Sequence, residues 1–366
     1  MSSFSADSSQ LSSGLIEPVA QNQALGADSS DDNRDRPALP PESVAPPYPD
    51  FDLAVPDAGY AWWYADGISD DGRHAVTLIA FVGSVFSPYY ASARRRPPAP
   101  AEQHCALNVA IYSPVVGRWA MTERAARHIQ RSSTEFVIGP SRVSWQPRST
   151  GQVSDGNSHE LVFEINERSA PFGKAVKGEI RVTPSALQPL RFSLDERGGH
   201  FWHPVAPRAR MQVNFEQPDL QWSGNAYLDR NQGNEPLEAG FQNWTWMRAS
   251  HADHTTVIYE VNRRGASPLA LARRFDLDGS SEPIAMPSSV DLPGTGWRIK
   301  RSTRAEPPKS AFVVRTLEDT PFYSRSELSV QLEGQQMPAI HESLDLDRFA
   351  SRWVQTLLPF RMPRRR

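Results

Sequence analysis

Two short segments carry side chains that together could do acid chemistry. His200-Phe201-Trp202 sets an imidazole and an indole two residues apart, and Tyr227-Leu228-Asp229 does the same with a phenol and a carboxyl. Along a strand, residues two apart point to one face, so each pair turns both of its groups the same way. Four such groups on two strands can line one pocket. The plainer alternative is a strand pair whose polar tips hydrogen-bond at a sheet edge. A carboxyl has a reference pKa of about 3.9, and burial among Trp and Tyr raises it. Asp229 would then stay protonated and able to give up its proton. A neighbouring aromatic face favours positive charge without attacking it, by roughly 2 kcal/mol per desolvated ring.

The other chemistry-bearing groups lie nearer the N-terminus. Gly59 to Tyr90 holds Trp62, Trp63 and Tyr64, followed by Asp66, and these four are expected to line the same pocket. Asp66 is thereby a second candidate acid, and Glu123 after Trp119 a weaker one. Ser69-Asp70-Asp71-Gly72 has the composition of a hairpin turn, where Asp bonds its own backbone. His251-Ala252-Asp253-His254 lacks a further ligand at a recognisable spacing, so no metal is expected. No GxSxG elbow, Ser-His-Asp order or phosphate loop occurs, and Gly294-Thr-Gly296 lacks the third glycine of a dinucleotide fingerprint. No cofactor is implied.

The elements that must position these groups read as strands. Runs with period-2 alternation recur at Glu160–Ile165, Glu179–Val182, Arg210–Phe215, Thr255–Val261, Ser310–Thr316 and Glu327–Leu332, separated by Gly, Pro, Asn and Asp. The fold class is all-β and mainly antiparallel, with few helices. Leu346 to Leu357 is the one amphipathic helix, with Leu346, Phe349, Trp353 and Leu357 on its apolar face. Residues 1–47 are expected to be a disordered tail rich in Ser, Asp and Pro. Two β domains, 48–190 and 191–360, follow, and a basic tail covers 361–366. The 366-residue chain has ten tryptophans, a single cysteine and a net charge of −3, which argues against nucleic-acid binding and excludes an intrachain disulfide. Cys105 reads as a small buried strand residue. Neither a membrane-spanning run nor a secretory signal is recognisable.

Several motifs resemble the bacterial carotenoid 1,2-hydratases, also called hydroxyneurosporene synthases. They are GYAWWYADGISDDGRHAVTLIAFVGSVFSPYY (Gly59 to Tyr90), HCALNVAIY (His104 to Tyr112), RWAMTER (Arg118 to Arg124), APRARMQV (Ala206 to Val213) and WSGNAYLDRNQGNEPLE (Trp222 to Glu238). The resemblance runs from Tyr48 to Phe360 and implies lipocalin-like β-barrel or sandwich domains. It also implies a cofactor-independent hydro-lyase that adds water to the terminal C1=C2 bond of neurosporene or lycopene. Its catalytic residues fall on His200, Trp202, Tyr227 and Asp229. On this reading Asp229 protonates C2, Trp202 stabilises the C1 cation, and Trp62 and Trp63 stand behind it. Tyr227 orients the acid or the water, and His200 takes a proton from the water. The partners are an acyclic carotenoid and water. The insolubility of that substrate leads us to expect peripheral contact with the cytoplasmic side of the inner, photosynthetic membrane, through the basic tail or the Arg94–Arg96 loop. A non-catalytic carotenoid carrier and a β-sandwich hydrolase with paired carboxylates are the rivals.

Overall fold

A computed structural model describes residues 42–148, 158–307 and 311–365. Most of the expected tail falls outside them. Within them, Glu42–Val44 is already a strand, antiparallel to Leu190–Ser193.

The acidic turn forms as its composition requires. Tyr60–Ser69 and Ala75–Val82 pair antiparallel across it, Gly72 takes φ +68°, and Asp71 accepts from the Ser69 hydroxyl and the Arg73 N–H. Asp70 instead grips Arg210 with both oxygens, at 2.7 and 2.8 Å. From this hairpin a large sheet extends both ways. On one side lie Cys105–Tyr112 and Arg118–Arg124; on the other, Leu220–Gly233, His200–Gln217, Ala175–Pro184, His159–Arg168 and Ser141–Pro147 follow in order. A second sheet runs Leu269–Asp276, His254–Arg263, Phe241–Ser250, Gln335–Asp345, Tyr323–Leu332, Ala311–Asp319. Both sheets are curled and antiparallel, as expected of an all-β, lipocalin-like fold. Among the described residues, the one parallel pairing is the edge contact of Arg364–Arg365 with Glu123 and Arg124.

The division between the sheets does not fall at residue 190. The hairpin of His200–Gln217 and Leu220–Gly233 inserts between Ala175–Pro184 and Tyr60–Ser69, so the second sheet opens only at Phe241. Strand alternation then sorts the core. Trp63, Ala65, Val76 and Leu78 face a core with Phe136 and Phe163 inside the first sheet's own curl. Tyr60, Trp62, Tyr64, Trp202 and Tyr227 face the other way, against Trp244, Trp246 and Tyr259 of the second sheet.

The C-terminal helix is broken. Leu346–Ala350 and Arg352–Leu357 are separate short helices, because Ser351 is extended at φ −66°, ψ 142°. Leu346, Phe349 and Val354 are buried while Trp353 and Leu357 turn outward. The break rotates the second half of the expected apolar stripe to the surface. Cys105 is buried, and desolvation pushes its thiol pKa up, as fits a packing residue.

Candidate active site

Register brings the acid segment and the N-terminal aromatics onto one face. Across the Tyr60–Ser69 and Leu220–Gly233 pair, Asp66 sits opposite Tyr227, Tyr64 opposite Asp229 and Trp62 opposite Asn231. On the other flank Trp202 sits opposite Asn231. Asp229 is therefore surrounded by same-face neighbours from three strands.

Its hydrogen bonds are specific. Oδ2 accepts from the Tyr227 hydroxyl at 3.0 Å and from Trp202 Nε1–H at 3.0 Å, and Oδ1 receives Asn231 Nδ2 at 3.3 Å. Trp202 Nε1 also lies 3.2 Å from the Tyr227 oxygen, so its hydrogen is shared. Two donors thus converge on Oδ2, while Oδ1 has a single, longer contact. Burial raises the Asp229 pKa to about 8, outweighing the donors from Trp202 and Tyr227 that favour the carboxylate; Glu342 and Asp66 add to the rise. Burial likewise holds the Tyr227 phenol well above its usual range, so it stays a donor.

Asp66 has a different environment. Arg248 binds it at 2.8 and 3.2 Å and Arg325 at 2.5 Å, all three side chains being fully buried or nearly so. Arg325 also pairs with Glu342, which accepts from the Tyr64 hydroxyl at 3.0 Å. Arg248 and Arg325 thus pair with Asp66, and Arg325 with Glu342; among the described residues no cation pairs with Asp229. Of the two candidate acids, Asp66 is engaged by two guanidiniums, while Asp229 accepts from Trp202, Tyr227 and Asn231.

Position bears on three further expectations. Trp63 lies on the opposite face, its Nε1–H donating to the Pro49 carbonyl at 2.5 Å and its ring packed on Phe51 and Phe136. Successive strand residues cannot share a face, so Trp62 and Tyr64 reach the cavity and Trp63 does not. His200 shares the face of Asp229 but pairs with Gly233, four residues further along, about 13 Å away at strand rise. There it bridges the Tyr60 hydroxyl at 2.9 Å and Glu235 at 3.2 Å, and burial lowers its pKa. Trp202 presents its indole N–H to Asp229, while its ring packs against Phe192 and Tyr259. The remaining alternatives are also occupied. Glu123 is bound by His104 and Arg364, and Arg94 is paired with Glu238.

Two adjoining spaces lie on this face, and the smaller one touches Asp229. A cavity of about 300 Å³ is lined mainly by apolar side chains, among them Phe81, Phe86, Trp119 and Phe322, with Asn108, Glu318 and Asp319 also at its wall. A smaller space of about 30 Å³ touches Asp229, Asn231, Trp246 and Tyr259. Trp62, Tyr64, Trp244 and Glu342 border both and form the partition. The smaller space is large enough for a water, and Asp229, Asn231 and the Tyr259 hydroxyl supply polar partners. Trp246 Nε1, also at its wall, has no hydrogen-bond partner among the described residues. The second-sheet residues Arg248, Arg325, Glu342, Trp244, Trp246 and Tyr259 gave no motif in the sequence. Away from this site, ring nitrogens of His251 and His254 and an oxygen of Asp253 lie within 4.8 Å of one another, the described residues' one trio with metal-ligand geometry.

Fold and site define a curled all-β protein with a buried carboxyl of raised pKa set among aromatic side chains. The family model described as carotenoid hydratase CrtC matches residues 78–366, and the chain belongs to that family. The acyclic carotenoid 1,2-hydratases of Thiocapsa roseopersicina and Rubrivivax gelatinosus are each 48% identical, over 86% and 87% of this chain and 76% of each relative. Among solved structures, a Nitrosomonas europaea protein assigned as AttH aligns over 78% of this chain and 91% of its own. Its TM-score is 0.51 at 14% identity, a likeness of fold alone.

Proposed function

We propose that this protein is an acyclic carotenoid 1,2-hydratase in which Asp229 is the proton donor. The observation that carries this reading is a fully buried carboxyl, its pKa raised by burial to about 8, that faces tryptophans and pairs with no cation among the described residues. An isolated trisubstituted alkene is a very weak base, so the donor must be protonated before the substrate arrives. Family membership and the hydratase relatives supply the substrate class.

The polyene end enters the 300 Å³ cavity, which is at the small end of ligand pockets and takes part of a long chain rather than all of it. Movement of Trp62 or Trp244 joins the two spaces. The Oδ1 proton of Asp229 passes to C2 while the C1=C2 electron pair forms the new C–H bond. The resulting C1 cation is tertiary and lies among Trp62, Trp244 and Trp246, whose faces favour positive charge. Water in the smaller space then bonds to C1 and returns a proton to the Asp229 carboxylate, so the acid is regenerated. Tyr227 and Trp202 hold the carboxyl in place. No nicotinamide, flavin or metal is required by this electron count.

The pH profile tests the assignment. Turnover needs the protonated form, so kcat should be flat at lower pH and fall as pH rises through about 8. Initial rates on detergent-dispersed lycopene or neurosporene, taken anaerobically without added cofactor, would give the profile. Substrate binding without any product at every pH would turn the reading toward a carrier.

A further inference from the structure

The cavity is closed at one end by Trp62 and Tyr64 and reaches the surface at the other, where Trp297, Leu357 and Arg361 line it. That rim is unusually apolar for exposed surface. Trp297, Trp353 and Leu357 are each more than two-fifths exposed and Phe360 is 73% exposed, and the two tryptophans stack at 6.2 Å. Trp353 and Leu357 are outward-facing because the chain breaks at Ser351, and Phe360 follows in the next turn.

The same segments are basic. Ser351–Arg366 contains five arginines and no acid, and residues 292–301 add Arg298, Lys300 and Arg301, again without an acid. Of these, Arg352, Arg361, Arg365, Arg298 and Lys300 are exposed, Arg361 also reaching Glu318 at 3.6 Å and lying over the Trp119 ring. A protein whose net charge is −3 thus sets several exposed basic residues and large apolar side chains around one opening, where Glu318 and Asp319 are the acids of the lining nearest Arg361 and Trp297. Tryptophan and phenylalanine flanked by arginine is the composition that settles at a bilayer interface, and each basic residue near an anionic surface adds attraction. The Arg94–Arg96 loop does not share this character: Arg95 and Arg96 are exposed, but no exposed large apolar side chain adjoins them in the chain.

We infer that the face formed by Trp297, Trp353, Leu357 and Phe360 with Arg352 and Arg361 docks on an anionic lipid bilayer, so that the cavity opens directly into the acyl phase. This rests on the reading that the substrate is an apolar polyene. Such a substrate would pass from lipid to the cavity without crossing water, and among the described residues no helix is long and apolar enough to span the membrane.

The test separates docking from catalysis. The full chain would be sedimented with sucrose-loaded vesicles of phosphatidylcholine alone, or with phosphatidylglycerol added, and no carotenoid. Binding is expected on the anionic vesicles, weakened by salt. It should fall roughly tenfold or more in Phe360→Ser and further in Phe360→Ser/Trp353→Ser, since each aromatic withdraws from the interface. The variants' melting temperatures report that folding is intact. With substrate present, the double variant should lose turnover on vesicle-embedded carotene and keep it on detergent-dispersed carotene. Wild-type protein that ignores anionic vesicles, or variants that bind as wild type does, would overturn the proposal whatever the activity of the protein. Lipid binding with no turnover anywhere would leave the docking face standing and remove the hydratase reading.

Discussion

Asp229→Asn is expected to abolish measurable hydration while leaving the protein folded and able to bind carotene. The amide can still accept from Trp202 and Tyr227, so the local geometry survives, but it has no proton to give. Loss of a general acid costs about 10² to 10⁴ in rate, and with so weak a base as an alkene the upper end applies. Stability should move the other way. In the unfolded chain the carboxyl ionises near 3.8, while in the folded protein its pKa is about 8. Between those values the folded state holds the extra proton, so wild-type stability falls as pH rises. The Asn variant lacks this slope and should be at least as stable at pH 7. Urea unfolding of both proteins at pH 5 and pH 8, beside turnover, would read both effects. A variant with near-normal kcat would move the proton donor elsewhere.

Arg325→Met is expected to produce the largest loss of stability of any single change at the site. The guanidinium is fully buried and bonds Asp66, Glu342 and Tyr64 together. Removing it leaves carboxylates in a low-dielectric interior with Arg248 alone to compensate. Breaking a buried pair this way costs about 3–5 kcal/mol, a large share of the stability of an ordinary domain. The effect should be partly relieved in Arg325→Met/Glu342→Gln, which removes the stranded charge. Chemical denaturation of the single and double variants measures the relief, and its absence would mean that the cluster is not energetically coupled.

Much of the first sheet was legible because its signals are local. Alternation at Tyr227 and Asp229 and at His200 and Trp202 placed each pair on one face, and the register keeps them there. The same rule applied strictly to Trp62, Trp63 and Tyr64 separates the middle residue from its neighbours. What local pattern cannot supply is distance along the partner strand: His200 pairs with Gly233, not near Asp229. Nor can it supply the opposing sheet. The partners of Asp66 come 182 and 259 residues later in the chain, and no spacing rule links a carboxyl to arginines so remote. The break at Ser351 was also hidden, because the 3-and-4 spacing of Leu346, Phe349 and Trp353 fits an unbroken helix as well as two short ones.

The central claim, that an acid on the protein protonates C2 and solvent water captures C1, is tested most directly by isotope incorporation. Purified protein would be incubated anaerobically with lycopene or neurosporene in H₂¹⁸O, and separately in D₂O, and the products read by mass spectrometry with fragment assignment. The account predicts one ¹⁸O at C1 and one deuterium at C2 per hydrated end. Oxygen from any source other than water, or an oxygenated product without solvent deuterium at C2, would contradict it.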